Sequence, residues 1–165
     1  MASKPNDTKA AILQLGTELI QQVGYHAFSY ADIAKKLYIK NAAVHYHFPG
    51  KADLYEGIVD LHIQNYTRIG QEMTQASIPA KAKLERIFSR YSNLVDCNNI
   101  CVIGAIAADY KTLPEKTRSK VITLVELVVK LVEKTLQEGK KKGEFFFDET
   151  AAVKAVREMS HLTHR

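Results

Sequence analysis

Between residues 114 and 139 the chain has no internal glycine or proline, and its apolar residues fall on more than one side of a helical repeat. Val121, Leu124, Val125, Val128, Leu131 and Val132 share one face, and Ile122, Val129 and Leu136 share another. A helix that is apolar on two faces must be covered on both, so this segment can only sit within an assembly of helices. Leu113-Pro114-Glu115 provides its start, with proline expected at the first helical position, and Gly139 its end.

The rest of the chain has the same periodicity. Residues 8–23 place Ile12, Leu15, Leu19 and Val23 at helical spacing, with Asp7 or Thr8 as cap and Gly24 as terminator. A long helix is predicted from Lys51 past Met73, its inner side carrying Leu54, Ile58, Leu61, Ile63 and Tyr66. Another covers residues 80–96, with Leu84, Ile87, Phe88, Tyr91 and Leu94 as its stripe. A short apolar segment follows at 101–108. Gly143-Glu144 with Phe145, Phe146 and Phe147 is expected to form a loop that packs, and Asp148 to cap a last helix from Glu149. Eight glycines and four prolines without clustered turn signals argue against an all-β chain, so the predicted fold class is all-α.

Composition narrows the function classes. A chain of 165 residues suits one domain, or a small head fused to a modest body, and needs no disulfide or metal to fold. With 46% hydrophobic and 25% charged residues, wholesale disorder is excluded. No apolar run is long enough for a membrane helix, and the first ten residues lack a signal-peptide core. Two cysteines and no export signal point to a reducing cytoplasm. The net charge of +5 is a mild hint of an anionic partner. There is no Gly-rich phosphate loop, no carboxylate pair with a supporting His, and no Ser or Cys nucleophile motif, so an enzyme is not expected.

The informative stretch is residues 29–48, which reads as helix, tight turn, helix. Ser29 offers an N-cap with Asp32 three residues on. Ala34 is small where a second helix must cross closely, and Val44, ten residues later, is that helix's apolar plug. Ile33, Leu37 and Ile39 complete a miniature core. This spacing suits a DNA-binding helix-turn-helix, though an ordinary helical hairpin shares part of it. The outward side of the second helix carries Lys40, Asn41, Ala42, His45 and Tyr46, groups able to reach base edges and phosphates. Lys51 opens the next helix, where the dipole also favours a phosphate. Residues 1–51 carry a net charge of +3 and no Arg, so arginine readout of guanine is not available there.

Residues 8–55 resemble the N-terminal domain of the tetracycline-repressor (TetR) family of bacterial regulators. The resemblance runs through Gly24-Tyr25, Phe28 to Ala34, Ala43 to Pro49 and Lys51 to Leu54. The later part is similar to one branch of the family at Cys101 to Ala105, Ala107-Ala108, Leu113 to Glu115, Glu138-Gly139 and Gly143-Glu144. The resemblance implies a three-helix DNA-binding head over residues 6–66 and a helical effector and dimerisation body over 67–165. It implies a homodimer that places two recognition helices on a palindromic operator, and a body pocket for a small-molecule effector that controls their separation. Carried over by position, Lys40, Asn41, Ala42, Ala43 and His45 would face base edges. Ser29, Tyr30, Tyr46, His47 and Lys51 would hold the phosphate backbone. Repression is the expected sign of regulation, and no cofactor or metal is implied.

Two departures from the family pattern stand out. Tyr38 occupies the turn position where the family usually has glycine, and a left-handed conformation is expected there. The last apolar pattern, Ala152, Ala155, Val156 and Met159, gives way to a polar tail at 160–165, so the final helix is expected to be short by several turns and self-association to be weakened. His62, Tyr66, Phe88, Tyr91 and Tyr110 are candidates to line an effector cavity, or else plain core. Cys97 and Cys101, four apart, are a candidate thiol pair, although buried packing is the commoner role. His161 and His164 lack further ligands for a zinc site. The rival readings are a helical protein-interaction module and a truncated, inactive regulator.

Overall fold

The computed structural model describes residues 5–95, 102–108 and 110–163. The described residues form eight α-helices and two short 3-10 turns, with no strand among them. The helices are α1 (Pro5–Val23), α2 (Tyr30–Leu37), α3 (Asn41–His47), α4 (Lys51–Gln75), α5 (Ala80–Val95), α6 (Val102–Ala108), α7 (Glu115–Lys141) and α8 (Ala151–Thr163). Helix α1 packs against α2, α3 and α4, α2 packs against α3, and α4 continues into the body, where α7 lies along it. Head and body therefore share one helix about 37 Å long. One apolar core extends from Ile12 in α1 to Met159 in α8.

Several boundaries and faces differ from the sequence expectation. Helix α1 starts at Pro5, which tolerates a first helical turn, so Asp7 lies within that turn instead of capping it. Its buried stripe includes Ile20, while Val23 is 52% exposed because the chain turns away at Gly24, whose φ is 82°. Pro114 is extended at the N-cap of α7, and the helix begins at Glu115. The last helix begins at Ala151, with the Val153 amide donating to Thr150 Oγ1 at 3.3 Å, so Thr150 has the role expected of Asp148. Leu136 joins the main core of α7 instead of a second face, because α5 and the aromatic loop cover it. Phe145 and Phe147 pack as expected, but Phe146 points to solvent.

Polar links tie head to body. Tyr55 of α4 donates to the Ile106 carbonyl of α6 at 3.0 Å in a buried site. His26 lies 3.3 Å from Thr112 Oγ1. Lys120 of α7 bridges Glu56 and Asp60 of α4, at 2.7 Å to each, and Lys116 also reaches Glu56 at 2.9 Å. These lysines hold the Glu56 carboxyl below its usual range, chiefly through the Lys120 hydrogen bond.

At the far end of the body the aromatic loop closes against α7. A Cβ on Gly139 would lie 2.2 Å from Phe145 Cδ2 and 2.9 Å from Ala80 Cβ. Gly139→Ala should therefore lower stability by about 1–3 kcal/mol, the overpacking cost exceeding the gain in helix propensity. Urea unfolding of the two proteins checks this; an unchanged midpoint would mean that the Phe145 ring moves aside freely.

Candidate nucleic-acid interface

Helix α2 is started by a reciprocal cap. The Ser29 amide donates to Asp32 Oδ2 at 2.7 Å, and the Asp32 amide donates to Ser29 Oγ at 3.4 Å. The Ser29 hydroxyl also donates to Asp32 Oδ2, and this contact leads the causes that hold the Asp32 carboxyl below its usual range. Helix α2 ends in a Schellman arrangement. The Tyr38 amide reaches the Lys35 carbonyl at 3.3 Å, and the Ile39 amide reaches the Ala34 carbonyl at 3.0 Å. This turn places Tyr38 in the left-handed region, φ 55° and ψ 37°, as its position in the turn suggested. The conformation costs a tyrosine about 1 kcal/mol relative to glycine.

Three residues later α3 begins. Ile33, Ala34, Val44 and Phe48 are buried and fix α3 against α2 and α1, with the Phe48 ring reaching Gly57 of α4. Val44 and Phe48 face inward four residues apart, so the opposite side of α3 must face solvent. That side carries Asn41, Ala42, His45 and Tyr46, all exposed, with Lys40 at its N-cap. Ala43 and His47 are half-buried. Lys35 and Lys36 add exposed positive charge at the end of α2.

The side chains on this face are braced. His45 stacks edge-on against Tyr30, with ring centroids 4.7 Å apart, and its Nδ1 lies 3.3 Å from the Pro49 carbonyl. Tyr46 is 80% exposed and meets His47 edge-on at 5.1 Å. Ser29 is exposed at the N-terminus of α2.

Two expected phosphate contacts are directed inward. Tyr30 is buried, and its hydroxyl donates to the Gly50 carbonyl at 2.6 Å. Burial, with Asp53 and Tyr25 nearby, pushes its phenol up to about 12. The Lys51 ammonium donates to the Phe28 carbonyl and lies over the Phe28 and Tyr25 rings, at 4.1 and 4.9 Å from their centroids. The Phe28 carbonyl lies in a loop between helices and takes the Lys51 donor, and the Gly50 carbonyl, which already accepts the Asp53 and Leu54 amides at the start of α4, takes the Tyr30 hydroxyl as well. The surface directed outward is thus Ser29, Lys40, Asn41, Ala42, His45 and Tyr46, with Lys35, Lys36 and Tyr38 beside them.

The expected effector residues do not converge on one cavity. His62 and Tyr66 are buried in α4. Phe88 lines a cavity of about 350 Å³ with Leu84, Val132, Leu136 and the Phe145–Phe147 loop. Tyr110 lines a separate shallow groove with Val121, Ile122 and Val125. Tyr91 lies in α5, but its side chain is outside the described residues, as are Cys97 and Cys101. Among the described residues no cluster of three metal-ligating side chains occurs. No described helix is long and apolar enough to cross a membrane.

A compact head with a buried helix crossing and an outward polar row on its second helix defines the helix-turn-helix class of regulators. Residues 12–58 match the family model described as bacterial regulatory proteins, tetR family. Over 78 residues the chain is 30% identical to the nucleoid occlusion factor SlmA of Marinomonas sp. (strain MWYL1), a match spanning 47% of this chain and 40% of that protein. The structure of a TetR transcriptional regulator from Legionella pneumophila superposes with a TM-score of 0.81 at 26% identity, covering 99% of this chain and 84% of the other. A TetR-family regulator from Agrobacterium tumefaciens gives 0.82 at 28% identity, covering 97% and 85%. Residues 12–58 thus carry the DNA-binding domain of the tetR family, and the described chain has the fold of TetR-family transcriptional regulators.

Proposed function

We propose that the protein is a ligand-responsive repressor that binds a palindromic DNA operator as a homodimer, and that it works in the cytoplasm on the nucleoid without enzymatic activity. One observation carries this reading. The α3 row of Asn41, Ala42, His45 and Tyr46 is exposed while Val44 and Phe48 lock the helix from behind. A fixed helix presenting hydrogen-bonding groups beside exposed Lys35, Lys36 and Lys40 suits entry into a major groove flanked by phosphates.

The reading of the body follows from its contacts with the head. Tyr55–Ile106 and the Glu56/Asp60–Lys120 bridge offer a physical route by which a change in the body would tilt α4 and with it α3. An effector that favours one body arrangement over the other would then change the spacing of two heads. The cavity beside Phe88 and Phe145–Phe147 has the apolar lining suited to such a molecule. Exposed Ile122, Val153 and Val156 on α7 and α8 provide apolar surface for a second copy.

The decisive experiment is a duplex-binding titration across salt concentrations. Six lysines from two heads, three from each, should make affinity for any duplex fall by about a thousandfold between roughly 50 and 200 mM salt. Selection from a random pool should yield two half-sites about one helical turn apart, with two chains per site. Absence of salt-dependent duplex binding would leave a helical interaction module as the better reading.

A further inference from the structure

Among the described residues, Tyr38 is the only non-glycine with positive φ, and at 96% exposure its side chain is covered by nothing in the subunit. These two facts pull in opposite directions. The Schellman turn explains why the backbone is left-handed, but glycine would meet that need without the steric cost. A strained aromatic residue normally returns its cost through packing, and this ring packs on nothing. Strain that the fold does not use is a pointer to function.

The position suggests which function. Tyr38 lies between α2 and α3, three residues before Asn41, among exposed Lys35, Lys36, Lys40 and Ala42. When a recognition helix enters a major groove, the preceding helix crosses the backbone, so the turn between them lies against the strand bordering that groove. A phenol there has a hydroxyl to donate and an apolar ring to lay over a sugar, and tyrosine is among the side chains that serve phosphate contacts.

We propose that Tyr38 is a DNA-backbone contact, its hydroxyl donating to a phosphate oxygen beside the groove that α3 reads. This rests on the helix-turn-helix reading above. The contact is neutral, so it adds affinity without adding to counterion release and without reading sequence.

The test uses the full chain with Tyr38→Gly, Tyr38→Asn and Tyr38→Phe, a selected operator and a random duplex. Glycine and asparagine both tolerate the left-handed conformation. Both variants should melt higher than the parent protein, by about 2–4 °C for glycine. Both should bind either duplex about tenfold more weakly, with the salt slope unchanged. Tyr38→Phe retains the ring and should show a smaller loss. Higher stability together with weaker binding is a signature that a folding defect cannot produce. Unchanged affinity in the glycine and asparagine variants would overturn the proposal while leaving the DNA reading intact. A fall in melting temperature for both would overturn it too, by removing the strain on which it stands. If the parent protein shows no salt-dependent duplex binding, the helix-turn-helix reading fails and this proposal fails with it.

Discussion

Replacing both Asn41 and His45 with alanine should weaken binding to a selected operator by about a hundredfold or more, while random duplex is bound nearly as before. Asn41 is the first residue of α3 and is exposed, and a side-chain amide there can pair with both N6 and N7 of an adenine. His45 follows one turn later on the same face. A carbonyl oxygen can only accept, so the 3.3 Å approach to Pro49 places the proton on His45 Nδ1. In a neutral ring Nε2 is then an acceptor, suited to the amino group of cytosine or adenine. The edge-to-face contact with the Tyr30 ring braces the imidazole, which limits the entropy lost on binding. Each base-edge contact is worth about 1–3 kcal/mol, and two side chains one turn apart need not add strictly. Titrations with selected and random duplex at two salt concentrations separate the outcomes. An equal loss on both duplexes would assign these residues to phosphates, and no loss on either would show that another surface reads the DNA.

The features legible in the sequence were those decided by near neighbours. The Ser29–Asp32 cap depends on residues three apart and could be read locally, whereas the left-handed turn at Tyr38 was expected from the family resemblance, which places glycine there. The pairing of Ala34 with Val44 was legible because a short turn leaves few ways for two helices to cross. Features decided by distant partners were not legible. Val23 and Ile20 have equal claim to an apolar stripe, and only the turn at Gly24 determines which is covered. Leu136 was assigned to an outer face because the sequence does not say where α5 and the aromatic loop cross α7. The family resemblance implied phosphate contacts at Tyr30 and Lys51. Their directions follow from the Gly50 and Phe28 carbonyls, which lie 20 and 23 residues away in the chain. Glu56 and Asp60 share a four-residue spacing with Lys116 and Lys120. Nothing in that spacing says that the two pairs meet across α4 and α7. The scattered effector candidates show the same limit, since aromatic residues on apolar faces mark core and cavity alike.

Glu138→Gln should destabilise the body by about 3 kcal/mol, the cost of leaving a buried cation without its counter-charge. The Lys83 side chain is only 7% exposed, and its ammonium donates to both oxygens of Glu138, at 2.8 and 2.9 Å. Lys142 reaches the same carboxylate at 2.7 Å, so one anion serves two cations. Hydrogen bonds from Lys142 and then Lys83 bring the Glu138 carboxyl down to about 2 from an ordinary value of 4.5. A carboxylate with a lowered value in the folded state binds fewer protons there than when unfolded, so the stability it adds is complete above pH 4.5. As pH falls toward about 2 that stability is lost progressively. The glutamine variant has no such group to titrate. The stability gap between the two proteins should therefore be constant from neutral pH down to about 5 and should close below it. Lys83→Met is the control, because it replaces the buried cation with an apolar group of similar length and leaves Glu138 with Lys142. It should cost far less than Glu138→Gln, since no buried charge is stranded. Urea unfolding at a series of pH values measures all three proteins. A gap that is the same at pH 3 and pH 7 would show that Glu138 is not held ionised by its lysines. Equal losses in the two variants would show that packing around the pair, and not the stranded charge, sets the cost.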